Sequence, residues 1–268
     1  MPIQEVNGTN LYYELHGPES ADVIVLSNGI FMSAGSWGYQ VAELKKHFRV
    51  LVYDCRGMWQ SDHPEGPYSM DLHVEDLAEL LSSLGIEKAH VGGISYGGEI
   101  SMLFALKYPQ RTRSLIVSSA VSQIDPMLAA MGTLWSSALR DRNADALFET
   151  SLPLNFSENW LKANANILEA TRKRYNQMDL AAAERLMLAF SEINFTDRLH
   201  SITAPTLVIV GELDILKPRK YAEIIAAEIP GVELVIIPHA AHAVCLEQPA
   251  AFNSTVLGFV LKHCEVEA

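Results

Sequence analysis

A serine between two glycines at a strand-to-helix junction, Gly93-Ile94-Ser95-Tyr96-Gly97, constrains this chain more than any other segment. The residues before it, Lys88-Ala89-His90-Val91-Gly92, read as a short apolar strand, and Glu99 to Leu106 carry apolar side chains at helical spacing. A G-x-S-x-G at such a turn sets the serine on a sharp, strained elbow and pushes its hydroxyl out at the sheet edge. The glycines have a steric reason. A Cβ two residues either side of the serine would meet neighbouring strand and helix backbone. Ser95 is therefore the candidate nucleophile.

The elements around this elbow alternate. Residues 4–16 suggest two antiparallel strands about the turn Asn7-Gly8. Continuous apolar runs at 22–27, 48–53, 88–92, 114–118, 206–210 and 233–237 read as buried strands. Helical spacing separates them at 72–84 (stopped by Gly85), from the elbow to about Tyr108, at 218–228 and at 247–263. Such alternation predicts an α/β fold, a mostly parallel sheet with helices on both faces. Between 121 and 196 strand signals vanish, and the pattern predicts helices near 124–140, 143–150, 157–176 and 179–193. The expected organisation is a core domain of 1–120 and 197–268 interrupted by a helical lid, 121–196, over the carboxyl ends of the strands.

Composition narrows the functions available. Nearly half of the 268 residues are hydrophobic, enough for one large core, and the net charge is −12. That charge argues against nucleic acid or an anionic membrane surface as partner. No apolar stretch approaches the ~20 residues of a membrane span. The start, Met1-Pro2-Ile3-Gln4-Glu5, lacks the basic and apolar regions of a secretory signal. Cys55, Cys245 and Cys264 are odd in number and scattered, which suggests reduced thiols in a cytoplasmic protein. No histidines have metal-ligand spacing, and Gly92-Gly93 does not extend to a dinucleotide fingerprint, so neither metal nor cofactor is expected. The expected partner is a small-molecule substrate; monomer and homodimer both stay open.

A serine hydroxyl needs an adjacent base, and the base needs an orienting group. Asp214, in Gly211-Glu212-Leu213-Asp214, follows the strand at 206–210 and reaches the same sheet edge as Ser95. His242 follows the last strand. The rivals are Glu212 and the more remote Asp125 for the acid, and His239 for the base; Ser118-Ser119-Ala120 offers no acid after its own strand. The chain order Ser95, Asp214, His242 is that of one known type of catalytic triad.

With Asp54-x-Arg56-Gly57, Gly93-x-Ser95-x-Gly97, Gly211-Glu212-x-Asp214, and His242 followed by Glu247-Gln248-Pro249, the chain resembles the α/β-hydrolase superfamily over practically its whole length. Leu26-Ser27-Asn28-Gly29 and Trp37 look most like the 3-oxoadipate enol-lactonase and small carboxylesterase branch. The resemblance implies an eight-stranded sheet, with Ser95 as nucleophile, His242 as general base then acid, and Asp214 as its orienter. It also implies an oxyanion hole from the backbone N–H of Tyr96 and of Ile30, or of its neighbour Phe31. Two departures stand out. Asn28 replaces the usual His before Gly29, and Met58-Trp59 replaces a His-Gly, stiffening that loop. Asp54 and Arg56 are expected to brace the loop, not to react. From the helical insertion, Met131, Trp135 and Trp160 are the pocket candidates, together with Phe31. The implied activity is hydrolysis of a small, mostly apolar ester or lactone through an acyl-enzyme. The same side chains also serve C–C bond hydrolases, thioesterases and slow-turnover ligand sensors.

Overall fold

The apolar runs pair into one sheet in a computed structural model that describes residues 2–264; Met1 and residues 265–268, the ends of the expected core domain, lie outside the described residues. Strands β1 (Ile3–Val6) and β2 (Thr9–His16) form an antiparallel hairpin. Its turn holds Asn7 and Gly8 at φ of 45° and 70°, the doubly positive geometry a tight hairpin requires. β2 then pairs antiparallel with β4 (Arg49–Tyr53). From there β3 (Val23–Ser27), β5 (Ala89–Ile94), β6 (Thr112–Ser118), β7 (Thr206–Gly211) and β8 (Glu233–Ile237) all run parallel. The spatial order is β1-β2-β4-β3-β5-β6-β7-β8, the mostly parallel eight-stranded sheet expected from the sequence.

Both faces are covered, because alternate residues of each strand are apolar on both sides. Val25, Leu51, Val91 and Val208 pack with α2 (Met70–Ser83), α3 (Tyr96–Lys107) and α9 (Arg219–Glu228). Ile24, Leu26, Val50 and Leu207 pack on the other side with Trp37, Leu44 of α1 (Gly38–Leu44), and Phe252 and Val256 of α11 (Pro249–Lys262).

Five helices lie between β6 and β7: α4 (Pro126–Arg140), α5 (Ala144–Asn155), α6 (Glu158–Ala163), α7 (Ala165–Tyr175) and α8 (Leu180–Ser191). Asp125, Asn143, Ser157 and Asp179 cap four of them by accepting backbone N–H groups. Their apolar faces bury Leu128, Trp135, Leu139 and Leu147 together with Phe31 and Leu216, which belong to the loops after β3 and β7. The inserted helices therefore sit at the carboxyl ends of the strands.

Three expected helices differ in detail. The segment 157–176 is two helices, because Asn164 turns the chain and bonds the Trp160 carbonyl through both its backbone N (3.0 Å) and Nδ2 (2.9 Å). The helix expected over 143–150 runs on to Asn155 through Pro153, whose missing N–H forfeits one bond near the helix end. The closing helix starts at Pro249, a residue suited to a first helical position, and a separate turn, α10 (Val244–Glu247), precedes it. The short α1 was not foreseen.

Candidate active site

Ser95 occupies the turn between β5 and α3 at φ 53°, ψ −121°, left-handed geometry that costs a side-chain-bearing residue energy. The flanking glycines make the turn possible. A Cβ on Gly93 would lie 2.4 Å from the Gly97 carbonyl carbon, and one on Gly97 would lie 2.0 Å from Ser27 O. The Ser95 N–H bonds Ser118 O at 2.8 Å, tying the elbow to the neighbouring strand.

Asp214 and His242 meet at the ends of β7 and β8. Asp214 Oδ2 pairs with His242 Nδ1 at 2.9 Å, and Asp214 Oδ1 accepts the Lys217 N–H at 2.8 Å. Both side chains are buried. The rivals are occupied elsewhere. Glu212 accepts the His239 N–H at 3.0 Å at the surface, and His239 is itself exposed. Asp125 caps α4 and pairs with Lys220 at 2.7 Å, a hydrogen bond that pulls its carboxyl down to about 2. The His242 loop is braced by Glu247, whose Oε1 accepts from Ala241 N (3.2 Å) and Ser157 N (3.0 Å) while Oε2 accepts from Ser157 Oγ (2.5 Å).

One partner of Ser95 escaped the sequence reading. Its Oγ accepts a hydrogen bond from Lys217 Nζ at 3.1 Å, and the same ammonium pairs with Glu99 Oε1 at 2.8 Å. Among the described residues no hydrogen bond joins Ser95 to His242; both line one cleft. Catalytic contacts of this kind often close only around substrate. Burial pushes the Glu99 carboxyl up, opposed by Lys217 and by the Val121 N–H at 2.8 Å. A carboxylate within the apolar run of α3 and a lysine three residues beyond Asp214 were the available signals. Neither names the other.

Tyr96 and Ile30 line the space beside Ser95, and Phe31 lines the open cleft. The N–H groups of Tyr96 and Ile30 bond nothing among the described residues, and neither does that of Phe31, which sits at φ 67°. Asp54 ties the loop after β3 to its own loop after β4. Asp54 accepts from Ala34 N (2.6 Å), Gln60 N (3.1 Å) and Asn28 Nδ2 (3.2 Å). Asn28 Oδ1 takes the indole N–H of Trp37 at 2.8 Å, so the residue replacing histidine joins the same brace. Arg56 forms a buried two-pronged pair with Asp76 at 2.8 and 2.7 Å. Trp59 donates to Phe31 O at 3.0 Å, and its ring carries the Arg174 guanidinium at 4.2 Å. Trp59 is part of the cleft wall.

Two spaces meet at Ser95. A narrow one is apolar except for its polar end, and Met131, Trp135, Phe190 and Lys217 line it. A larger, open cleft takes in Ser95, His242, Phe31, Trp135, Trp160 and Arg174. All four pocket candidates lie on these walls, with Trp135 on both. Its indole nitrogen is buried with no partner among the described residues. Met127 and Leu134 of the same helix point to solvent.

Elsewhere, Asp22, His90 and Cys264 bring possible ligand atoms within 4.8 Å of one another at the far end of β3 and β5. Arg113 already pairs with Asp22 there at 3.3 Å. Burial pushes the Cys245 thiol up to about 12, in keeping with a packing role. No helix among the described residues is long and apolar enough to cross a membrane.

A family model described as "alpha/beta hydrolase fold" matches residues 22–249. The "Putative carbamate hydrolase RutD" of a Caulobacter species is 30% identical, covering 93% of this chain and 95% of that protein. The 3-oxoadipate enol-lactonase 1 of Acinetobacter baylyi is also 30% identical, covering 94% of each. The crystal structure of the enol-lactonase from Burkholderia xenovorans superposes with a TM-score of 0.91 at 29% identity, covering 97% of this chain and all of that one (100%).

Proposed function

From the premise that this chain belongs to the α/β hydrolase family, and is a hydrolase of that family, we propose that it cleaves a small, mostly apolar carboxylic ester or lactone through an acyl-enzyme. The reading rests above all on the 2.9 Å bond between Asp214 and His242, set beside a serine on a strained elbow in the same cleft. Carbamate, enol-lactone and ester, the bonds for which similar proteins are named, share an acyl carbon bearing oxygen.

In this mechanism His242 takes the Ser95 proton as Oγ attacks the acyl carbon. Asp214 holds the imidazole tautomer and stabilises the imidazolium without taking the proton. The Tyr96 and Ile30 N–H groups receive the oxyanion, each lowering the barrier by roughly 3–4 kcal/mol. His242 protonates the departing alcohol, and water then releases the acyl group by the reverse roles. The narrow apolar space takes the acyl chain. The inserted helices 121–196 act as a cap that excludes water and strengthens the electrostatics beneath it. Arg174 at the cleft wall suits a leaving group that presents an acceptor oxygen.

The test is a panel of p-nitrophenyl acetate and butyrate, lactones, thioesters and a ring-fission dienoate. Ester or lactone turnover is expected, and Ser95→Ala should lower kcat by on the order of 10⁶, with His242→Ala comparable and Asp214→Asn less severe. A drop under about tenfold for Ser95 or His242 contradicts the assignment.

A further inference from the structure

We propose that Lys217 is a fourth catalytic residue, a fixed cation that donates to Ser95 Oγ as that oxygen gains charge. The inference rests on the serine-hydrolase reading. The Lys217 side chain is only 3% exposed, and the Glu99 side chain it pairs with is fully buried (0%). An ammonium has three N–H groups and no acceptor. Here Nζ has three partners: Glu99 Oε1 at 2.8 Å, Ser95 Oγ at 3.1 Å, and the Phe190 ring with its centroid 4.6 Å away. A pair that only tied α3 to the loop after β7 would need the first contact and not the second.

Both ends of this arrangement are anchored to the machinery. Glu99 stands one turn after Ser95 on α3, and the Val121 N–H holds its Oε1 at 2.8 Å. The Lys217 backbone N–H bonds Asp214 Oδ1 at 2.8 Å, so the carboxylate that orients His242 also fixes the turn presenting Lys217. The cation is thereby held at a set place relative to both the nucleophile and its base. Such preorganisation acts without reorganisation cost at the moment of reaction.

A hydroxyl oxygen has two lone pairs and one proton, so Ser95 Oγ accepts from Lys217 while giving its proton to His242. In acylation the Oγ–C bond forms, the Ser95 proton passes to His242, the bond to the leaving oxygen breaks, and that oxygen takes the proton. In deacylation water gives a proton to His242 and bonds the acyl carbon. The C–Oγ bond then breaks with its electron pair going to Oγ, which takes the proton back. Lys217 keeps its own protons throughout, its charge balanced by Glu99. Its donation matters most where Oγ is the leaving group.

The test compares the full-length parent, Lys217→Met/Glu99→Gln and Ser95→Ala by stopped-flow and steady-state hydrolysis of p-nitrophenyl butyrate, with thermal melting as the measure of folding. Removing both charges together avoids stranding a buried carboxylate. The double variant should still bind a fluorophosphonate at Ser95 but lose about 10- to 100-fold in kcat, below the 10²–10³ of a full oxyanion-hole donor. Its burst should rise toward one product per site, and its KM should fall, because acyl-enzyme accumulates. Should the double variant not fold, Lys217→Gln/Glu99→Gln, which puts two uncharged amides at the same place, carries the same expectations. A lower melting temperature with kcat and burst within about twofold of the parent marks a structural pair and overturns the inference. Activity abolished in Ser95→Ala yet retained in the charge-free variant overturns this inference alone. Activity surviving in Ser95→Ala overturns the serine reading and this inference with it.

Discussion

Gly97 shows how completely single positions are committed here. It lies at the start of α3 with backbone from the end of β3 directly against it, and a Cβ there would sit 2.0 Å from Ser27 O and 2.8 Å from Asn28 O. No side chain can swing away from such contacts, because both opposing atoms are backbone. The Gly97→Ala chain must therefore push the elbow off β3 and displace the N–H of Tyr96 and the hydroxyl of Ser95 together. We expect a loss of about 3 kcal/mol or more in stability. We also expect at least about 10²-fold lower kcat/KM, since misplacement by about 1 Å suffices for that. Chemical denaturation and ester kinetics on the purified variant check both, and parental values for either contradict the steric account. At Ser95 the demand is opposite in kind. A residue with a side chain is held at φ 53°, and the surrounding bonds must keep it there.

At the scale of elements, the loop carrying His242 is tied both to the turn after β7 and to helices outside the sheet. Glu247 of α10 gathers the Ala241 N–H of that loop and both donors of Ser157, the cap of α6. A second tie joins Ala243 N to Asn155 O at 2.9 Å, at the end of α5. The inserted helices and the histidine loop are thus bonded to each other. Removing the carboxylate in Glu247→Ala takes away three bonds to a charged acceptor, in a net range of about 2–4 kcal/mol after partial solvation of the donors. A melting temperature lower by roughly 5–10 °C is expected for a chain of this size. Calorimetry reads that shift, and ester kinetics should show about a tenfold fall in kcat with little change in KM, because His242 loses its position while the apolar walls stay. Unchanged kcat would mean that the loop holds its place without α6.

For the whole molecule, buried histidine makes stability depend on pH. His73 lies inside α2, packed edge-on against Tyr96 at 5.3 Å, with neither ring nitrogen bonded among the described residues. Burial, assisted by the nearby Arg56 charge, drives its pKa from 6.5 down to about 3. The unfolded chain therefore binds this proton first. The neutral ring's contribution is complete above pH ~6.5 and is lost as pH falls toward about 3, reaching roughly 2–3 kcal/mol near pH 4.5. His73→Phe keeps the ring contacts and should flatten the unfolding free energy against pH by up to about 1.4 kcal/mol per pH unit over that window; an unchanged slope contradicts it. The strands and the elbow were legible in the sequence because their signals are local: apolar runs, a hairpin turn, and glycines two residues either side of a serine. Residues Asp214 and His242 were singled out from positions just past strands. The Lys217–Glu99 pair was not, since 118 positions separate them and only the fold sets them against Ser95. Helix breaks at Asn164 and Gln248-Pro249 were blurred because periodicity runs through them, and the local bonds that stop each helix leave no mark on that pattern. The central claim is that the Ser95 oxygen becomes covalently acylated. The most direct measurement is mass analysis of protein quenched in acid during p-nitrophenyl butyrate turnover, followed by peptide mapping. A butyryl adduct on the peptide bearing Ser95, absent from Ser95→Ala, is the expected result; steady turnover with that peptide unmodified, and with Ser95→Ala equally active, contradicts it.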